Sequence, residues 1–449
     1  MAEKISIIGA GLVGSLLALN LKKLGFEITV YEKRADLRKS EIGKGRSINL
    51  ALSTRGLYAL SKVGLEKEVL KMALPMYGRY IHIFNEDVHF TPYSIINEKA
   101  IYSISRNQLN QLLINEAEKS GVKFHFQHNL TKVDFNSNIL GFRNESNEYI
   151  KVTPEICFGT DGAYSELRNE MIQNDAFNFS QEFLEYGYKE IDLPASELGK
   201  WKLPNNGLHI WPRKDFMLIA LPNLNGSFTC TLFLKMKGDE SFEMISESEV
   251  FNDFFKKYFP DAYQCIPDLW NQFLSNPIGK LVTIKCFPYL KINEESIYYL
   301  LGDAAHAIVP FYGQGMNCGF EDVSQLTDML SEIKLFNWVE LFNGHQQKRK
   351  PNCDAIAQMA LDNFVEMRDL VSDIEFIKNK HIESQLKQSF PDLWQTQYEL
   401  VTFSNENYTQ ALKQGLINKK LVDHIRTEKI QVEKITKQEL KSLFKLLSY

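Results

Sequence analysis

The run Ile5-Ser-Ile-Ile-Gly9-Ala-Gly11-Leu-Val-Gly14 decides the fold of this chain. A short apolar stretch enters three glycines, and residues 15–24 follow with apolar side chains at helical spacing. That is a strand, a tight turn and a helix. In such a unit Gly9 makes the turn, Gly11 lets a pyrophosphate approach the backbone, and Gly14 lets helix and strand pack closely. The first turn of the helix offers unpaired N–H groups and the positive end of its dipole to phosphates. Glu27-Ile-Thr-Val-Tyr31 reads as the second strand, and Glu32 at its end is placed to accept hydrogen bonds from a ribose 2′-OH. Together these features predict a dinucleotide site. The plainer alternative is a glycine-rich turn in an ordinary α/β unit.

Working outward, the chain has 449 residues, more than one core usually serves, so two or three domains are expected. A net charge of −5 with no long basic block argues against nucleic-acid binding. No charged leader and no run of 18 apolar residues is found, so neither a signal peptide nor a transmembrane anchor is expected. Residues 439–449 read as a short basic amphipathic helix, either packed on the protein or touching a membrane surface. The six cysteines are scattered without a C-x-x-C, so neither a metal site nor a disulfide framework is expected. They read as reduced structural thiols of a cytoplasmic protein.

Residues 44–53 depart from a simple continuation of the unit, and Arg46 is either near the cofactor or a surface arginine on a loop. Residues 54–63 read as a helix capped by Ser53 or Thr54. Residues 79–84 and 88–93 are β-type runs around three turn residues, a hairpin. Symmetry about Glu86 places Arg79 opposite Tyr93 on one face. A guanidinium beside a phenol is a fork for a carboxylate; an exposed cross-strand stack is the alternative. Ser105 caps the next helix with Gln108 at the box position, and residues 122–126 form a strand. Ile156-Cys-Phe158 then leads into Thr160-Asp161-Gly162, a turn before another helix.

Residues 180–285 alternate in the strand manner and predict a second, largely antiparallel sheet, to which the hairpin adds strands. Ile297-Tyr-Tyr-Leu-Leu301 runs into Gly302-Asp303, an apolar strand ending at the usual ligand edge of a sheet. Phe311-Tyr312-Gly313-Gln-Gly315-Met316-Asn317 enters a helix at about 318–333. His306 is either a base or a structural residue. From 334 on the pattern is helical. Pro351 suits the first turn of a helix over roughly 352–370, where Asn363 and Met367 lie one turn apart with Glu366 beside them. Such a stripe is either packing or part of a site. Pro391 starts another segment, bearing Tyr398.

The Gly9–Gly14 turn with Glu32, the Asp161-Gly162 turn, and Gly302-Asp303 with the Gly313–Asn317 turn occur in the order found in the single-component flavin-dependent aromatic hydroxylases, which the chain resembles. Further stretches resemble the kynurenine-hydroxylating members of that family: residues 45–53, Gly187-Tyr-Lys-Glu190, His209-Ile-Trp-Pro212, residues 302–311, residues 313–317 and Asn363-Phe-Val-Glu-Met-Arg368. The similarity runs from residue 4 to about 408.

The resemblance implies an α/β protein overall of α+β character. It has a Rossmann-type FAD-binding domain (1–72, 100–180 and 286–333), a mostly antiparallel β-sheet substrate domain (73–99 and 181–285) and a C-terminal helical region (334–449). It implies tightly bound FAD, contacted by Val13, Glu32, Lys33, Arg34, Ala35, Ala51, Arg106, Leu130, Asp161, Asp303, Met316 and Asn317. Gly162, Gly315 and Arg46 join the glycines of the first turn in that set. It implies 3-hydroxylation of L-kynurenine through a flavin C4a-hydroperoxide, with NADPH as a transient co-substrate and O2, in tryptophan degradation and NAD biosynthesis. Arg79 and Tyr93 bind the carboxylate, Asn363 and Tyr398 close that end with Glu366 and Met367 nearby, and Phe311 and Tyr312 line the aromatic pocket. Chemistry is centred on the flavin, with no catalytic side chain. Eukaryotic members end in a hydrophobic anchor; the tail with Lys437, Lys441 and Lys445 departs from that and implies a soluble, cytoplasmic, bacterial-type enzyme, monomer or homodimer. Rival readings are a flavin hydroxylase for another aromatic acid, an NAD-dependent dehydrogenase, and a flavoprotein-like scaffold without turnover.

Overall fold

The computed structural model describes residues 3–39, 49–94, 98–332, 337–367 and 374–447. These divide into two compact units, residues 1–74, 102–184 and 280–357, and residues 75–101, 185–279 and 358–449. Arg46 lies outside the described residues.

The first unit is built on a six-stranded sheet in the order Leu290–Ile292, Ile297–Leu300, Ile156–Gly159, Lys4–Ile8, Glu27–Tyr31, Lys123–His125. All neighbours are parallel except the Leu290–Ile292 pair with Ile297–Leu300. Parallel sheets are covered on both faces and so read as continuous apolar runs; Ile5, Ile7 and Ile8 are all buried. The Leu12–Lys23 helix packs against the helices Arg106–Lys119 and Gly315–Glu332. The last contact is close because residue 319 is glycine: a Cβ there would lie 2.7 Å from Val13 Cγ2. The Rossmann-type architecture read from the glycine turn is what the chain adopts.

Two helices differ from their sequence reading. The one after Gly313 starts at Gly315, not near 318. The helix expected over 352–370 runs from Trp338 to Val365 with Pro351 inside it. A proline there removes one backbone bond and usually kinks a helix, but Phe342, Cys353 and Ile356 on either side of it are buried, and that packing outweighs the local loss. Residues 54–62 are helical as expected, although Ser53 makes no side-chain cap bond.

The second unit carries a sheet in the order Asn178–Leu193, Phe228–Lys235, Phe216–Pro222, Leu208–Arg213, Gly78–Ile81, His89–Pro92. It is antiparallel except where Leu208–Arg213 pairs in parallel with Gly78–Ile81. One face buries Leu218, Phe228, Leu232 and Leu234 against Phe251, Phe254 and Phe255 of the helix Ser248–Tyr258.

The hairpin register corrects the sequence reading. Arg79 pairs with Thr91, and Tyr93 N donates to Tyr77 O at 2.8 Å. The two residues are therefore diagonal rather than opposite. The slip is by two positions, which preserves the face because strand side chains alternate with period two.

The C-terminal helices of this unit enclose a small core of Leu386, Trp394, Leu421, Val422, Ile425 and Val432. The last helix, Lys437–Leu447, seats fully buried Leu440 in it. Burying such a side chain contributes about 1.5–3 kcal/mol, so this segment is a packed terminal helix. No helix among the described residues is long and apolar enough to cross a membrane.

Candidate active site

In the first unit the glycine turn has the shape a pyrophosphate requires. Gly9 has φ +101°, and a Cβ on it would lie 2.6 Å from Thr160 O. A Cβ on Gly14 would lie 2.0 Å from Gly9 O, so this position is needed for packing. A Cβ on Gly11 would meet nothing within 4 Å: the second glycine faces open space, where the ligand belongs. Gly11 is the N-cap of the Leu12–Lys23 helix and offers no side chain to its N–H groups, which leaves them for an anion.

Glu32 ends its strand as read. Its Oε2 accepts from Ala10 N at 2.8 Å and its Oε1 from Arg34 N and Nε at 2.9 and 2.8 Å. Burial pushes its carboxyl up, but the Arg34 side chain and these backbone bonds prevail and hold it below the usual glutamate value. The carboxylate is thus fixed and ionised, with acceptor capacity left for a ribose hydroxyl. Lys33, Arg34 and Ala35 follow on the surface.

Protein hydrogen bonds tie the separate motifs into one cradle. Thr160 Oγ1 donates to Ile8 O and lies 3.0 Å from Gly9 O, and Asn110 Nδ2 donates to Ala10 O at 3.1 Å. Arg168 bridges the other two turns, donating through Nη2 to Ala163 O at 2.8 Å and through Nη1 to Ala304 O at 3.0 Å. Asp161 Oδ2 accepts from Glu166 N at 2.8 Å, while its Oδ1 is buried without a partner, and Gly162 opens onto free space. Asp303, at the start of the turn Asp303–His306, and Arg106, which opens the helix Arg106–Lys119, are both exposed.

Asn317 ties the loops around it together. Its Oδ1 accepts from Ser53 N at 3.0 Å and its Nδ2 donates to Ala51 O and Gly313 O, both at 2.9 Å. Its side chain shapes the loop. Met316 is half-buried at the helix start, Leu130 is a core residue of the strand Asn129–Asp134, and Phe311 and Tyr312 are buried in the turn Pro310–Tyr312. The open Gly11, the unpaired Asp161 oxygen and the helix start at Gly315 fit FAD.

In the second unit Arg79, Tyr93 and Tyr398 come together from a strand, the chain just beyond the hairpin and the helix Gln397–Thr402. The Arg79 guanidinium carbon lies 5.7 Å from the Tyr93 ring centroid and 4.5 Å from that of Tyr398. The two phenol rings stack at 5.5 Å. Arg79 Nε and Tyr93 Oη are buried and have no hydrogen-bond partner. Such orphaned donors are costly and mark a place for an acceptor. Burial, and then Tyr398, raise the Tyr93 hydroxyl well above the ordinary tyrosine range despite Arg79, so it remains a donor at neutral pH.

At the end of the helix Trp338–Val365, Asn363 Nδ2 lies 3.3 Å from Met367 Sδ, and Glu366 pairs with Lys380 at 3.3 Å. Two residues escaped sequence reading. Phe403 packs on Tyr93 and Tyr398 at 5.7 and 6.0 Å, and an isolated phenylalanine gives no pattern to read. Arg168 stands in the Asp-Gly motif, but its bridge to the Gly-Asp turn is visible only in three dimensions.

A glycine cradle for FAD at the switch edge of a parallel sheet, in a chain that also carries a largely antiparallel sheet, defines an FAD-binding monooxygenase fold. A family model described as FAD binding domain matches residues 3–254 and 293–358. Kynurenine 3-monooxygenase of Christiangramia forsetii is 44% identical over 424 residues, 94% of each chain. That of Cytophaga hutchinsonii is 46% identical over 428 residues, 95% of this chain and 94% of the relative. The chain belongs to the kynurenine 3-monooxygenase family. Its fold also matches the solved 2-methyl-3-hydroxypyridine-5-carboxylic acid oxygenase with a TM-score of 0.65 at 18% identity, covering 84% of this chain and 95% of that one.

Proposed function

We propose that this protein hydroxylates L-kynurenine at C3, with FAD as resident cofactor and NADPH and O2 as co-substrates. The observation that carries the reading is the pair of buried, unpartnered donors, Arg79 Nε and Tyr93 Oη, set among aromatic rings. An α-carboxylate accepts two parallel N–H bonds from the guanidinium and an O–H bond from Tyr93. The Tyr398 ring, stacked beside that of Tyr93, lies against the guanidinium, and Asn363, Glu366 and Met367 close the amino-acid end.

Kynurenine presents a carboxylate at one end and an aniline ring at the other, whose amino group enriches the ortho carbon in electrons. FAD, when bound and reduced by NADPH, supplies activated oxygen. The chain's own residues bind and orient: Arg79 and Tyr93 grip the carboxylate, and Phe311 and Tyr312 are assigned to the aromatic ring. Gly9, Gly11, Gly14, Glu32, Arg106, Asp161 and Asp303 hold the cofactor. No second glycine fingerprint stands in the chain for NADPH, which supports a transient visitor. Six free cysteines support a reducing, cytoplasmic setting, in which the enzyme works as a monomer or homodimer.

The test is mass spectrometry of the product from L-kynurenine, NADPH and air. The reading expects an enzyme-dependent gain of one oxygen atom. NADPH oxidation stimulated more strongly by another aromatic acid than by kynurenine overturns the substrate assignment.

A further inference from the structure

The fold gathers a second group of side chains that neither cofactor nor substrate uses. Cys318 lies on the helix Gly315–Glu332, Cys353 on the helix Trp338–Val365, and His306 closes the turn Asp303–His306. All three are buried, as is Asp322 beside them, and one ligand atom from each of the four lies within 4.8 Å of the others. We propose that His306, Cys318 and Cys353 bind a thiophilic d10 cation, Zn2+, in a closed site that braces these helices.

The distances suit such an ion. Cys318 Sγ lies 3.9 Å from Cys353 Sγ and 3.9 Å from His306 Nδ1. Ligands around tetrahedral zinc, with Zn–S about 2.3 Å and Zn–N about 2.0 Å, stand roughly 3.5–3.8 Å apart. The surroundings supply the outer layer such a centre needs. His306 Nε2 lies 2.6 Å from Asp322 Oδ2, so the carboxylate holds that nitrogen and turns Nδ1 toward the sulfurs, the arrangement that orients metal-bound histidine. Asp322 does not swing free: Oδ2 also accepts from Gly302 N at 2.9 Å, and Oδ1 from Arg349 Nε at 2.7 Å. Arg349 Nη2 lies 3.3 Å from Cys318 Sγ, an N–H···S contact that favours thiolate without taking a ligand position.

Charge is accommodated too. Arg349 is matched by Asp322 and by Glu321 at 2.9 Å, and Glu321 also pairs with Arg55 at 2.7 Å. A dication held by two thiolates and a neutral imidazole adds no net charge to a cluster in which two guanidinium groups already face two carboxylates.

An independent feature points to the fourth position. Tyr289 is 1% exposed, and its hydroxyl is buried without a partner. Its ring lies 6.0 Å from the His306 imidazole. The fourth position falls to a water for which the Tyr289 hydroxyl is the partner.

The test uses the purified, FAD-loaded full chain expressed with zinc and dialysed. Elemental analysis should find about one zinc per chain, and Co2+ added to metal-free protein should give a thiolate-to-cobalt charge-transfer band. Cys353→Ser should lose both the zinc and the band, while FAD content and kynurenine-stimulated NADPH oxidation stay as in the wild type. If that variant does not fold, the wild-type zinc content and cobalt spectrum decide. Wild-type protein without zinc and without the band overturns the proposal. So does zinc retained by Cys353→Ser, or a Cys318–Cys353 disulfide, seen as a loss of two hydrogens by mass, in a chain that takes up no metal.

Discussion

The Arg79 guanidinium lies over the face of the Tyr398 ring, 4.5 Å from its centroid. The contact holds a buried cation in one orientation by its attraction to the ring quadrupole. Tyr398→Leu should therefore weaken kynurenine binding by about 0.5–2 kcal/mol, while Tyr398→Phe, which keeps the ring, should lose much less. Calorimetric titration of both variants checks this. Equal losses would shift the role from the ring to the hydroxyl.

Arg79→Lys keeps the charge but not the planar fork. Its ammonium cannot make the parallel pair of bonds to a carboxylate, so kynurenine affinity should fall by about 1.5–3 kcal/mol, roughly 10- to 150-fold. FAD content, read from the flavin absorbance of the purified protein, should not change. Kynurenine affinity equal to the wild type would remove Arg79 from the clamp.

Two glycines of one turn should fail in different ways. Alanine at position 14 places a methyl 2.0 Å from Gly9 O, a backbone clash, so Gly14→Ala should lower thermal stability and flavin content together. Alanine at position 11 meets no protein atom within 4 Å, so Gly11→Ala should keep the apoprotein's melting temperature and lose FAD affinity alone. Melting curves with and without added FAD separate the two.

Acid should weaken the second unit through a buried histidine pair. His209 Nε2 lies 2.7 Å from Pro204 O, its Nδ1 lies 2.9 Å from His82 Nε2, and His82 Nδ1 lies 2.7 Å from Asp261 Oδ2. Burial lowers His209 from 6.5 to about 4. Between those values the unfolded chain binds a proton that the fold refuses, so stability falls as pH drops through this window, by up to about 3 kcal/mol. Asp261 is held at about 2: burial opposes its ionisation, but His82 and Trp211 outweigh it. Its contribution is lost between 3.8 and about 2, in the same direction. Urea midpoints at pH 7.5 and 5 should differ in the wild type and differ less in His209→Gln; equal slopes would dismiss His209 as the source.

The first sheet was legible because its evidence is local. Gly9 to Glu32 spans one strand–turn–helix–strand, and each residue's role follows from its neighbours in the chain. The clamp was half legible. Turn symmetry put Arg79 opposite Tyr93, the true register pairs Arg79 with Thr91, and the face survived because the error was even. Tyr398 and Phe403 reach the same place from a distant helix and its exit, which no local pattern announces. The extent of the helix around Pro351 was misread for a related reason: its local breaker is overruled by burial on both sides. The His306, Cys318 and Cys353 group was invisible, since three residues without metal-motif spacing meet only when two helices pack.

Thr160, Asn110 and Arg168 hold the turns of the cradle through bonds among protein atoms alone. The turns are held to one another by the chain itself. Protein stripped of its flavin should therefore refill readily, and should accept synthetic isoalloxazines of altered redox poise, making the chain a chassis in which the oxidant is exchanged while the amino-acid grip stays fixed.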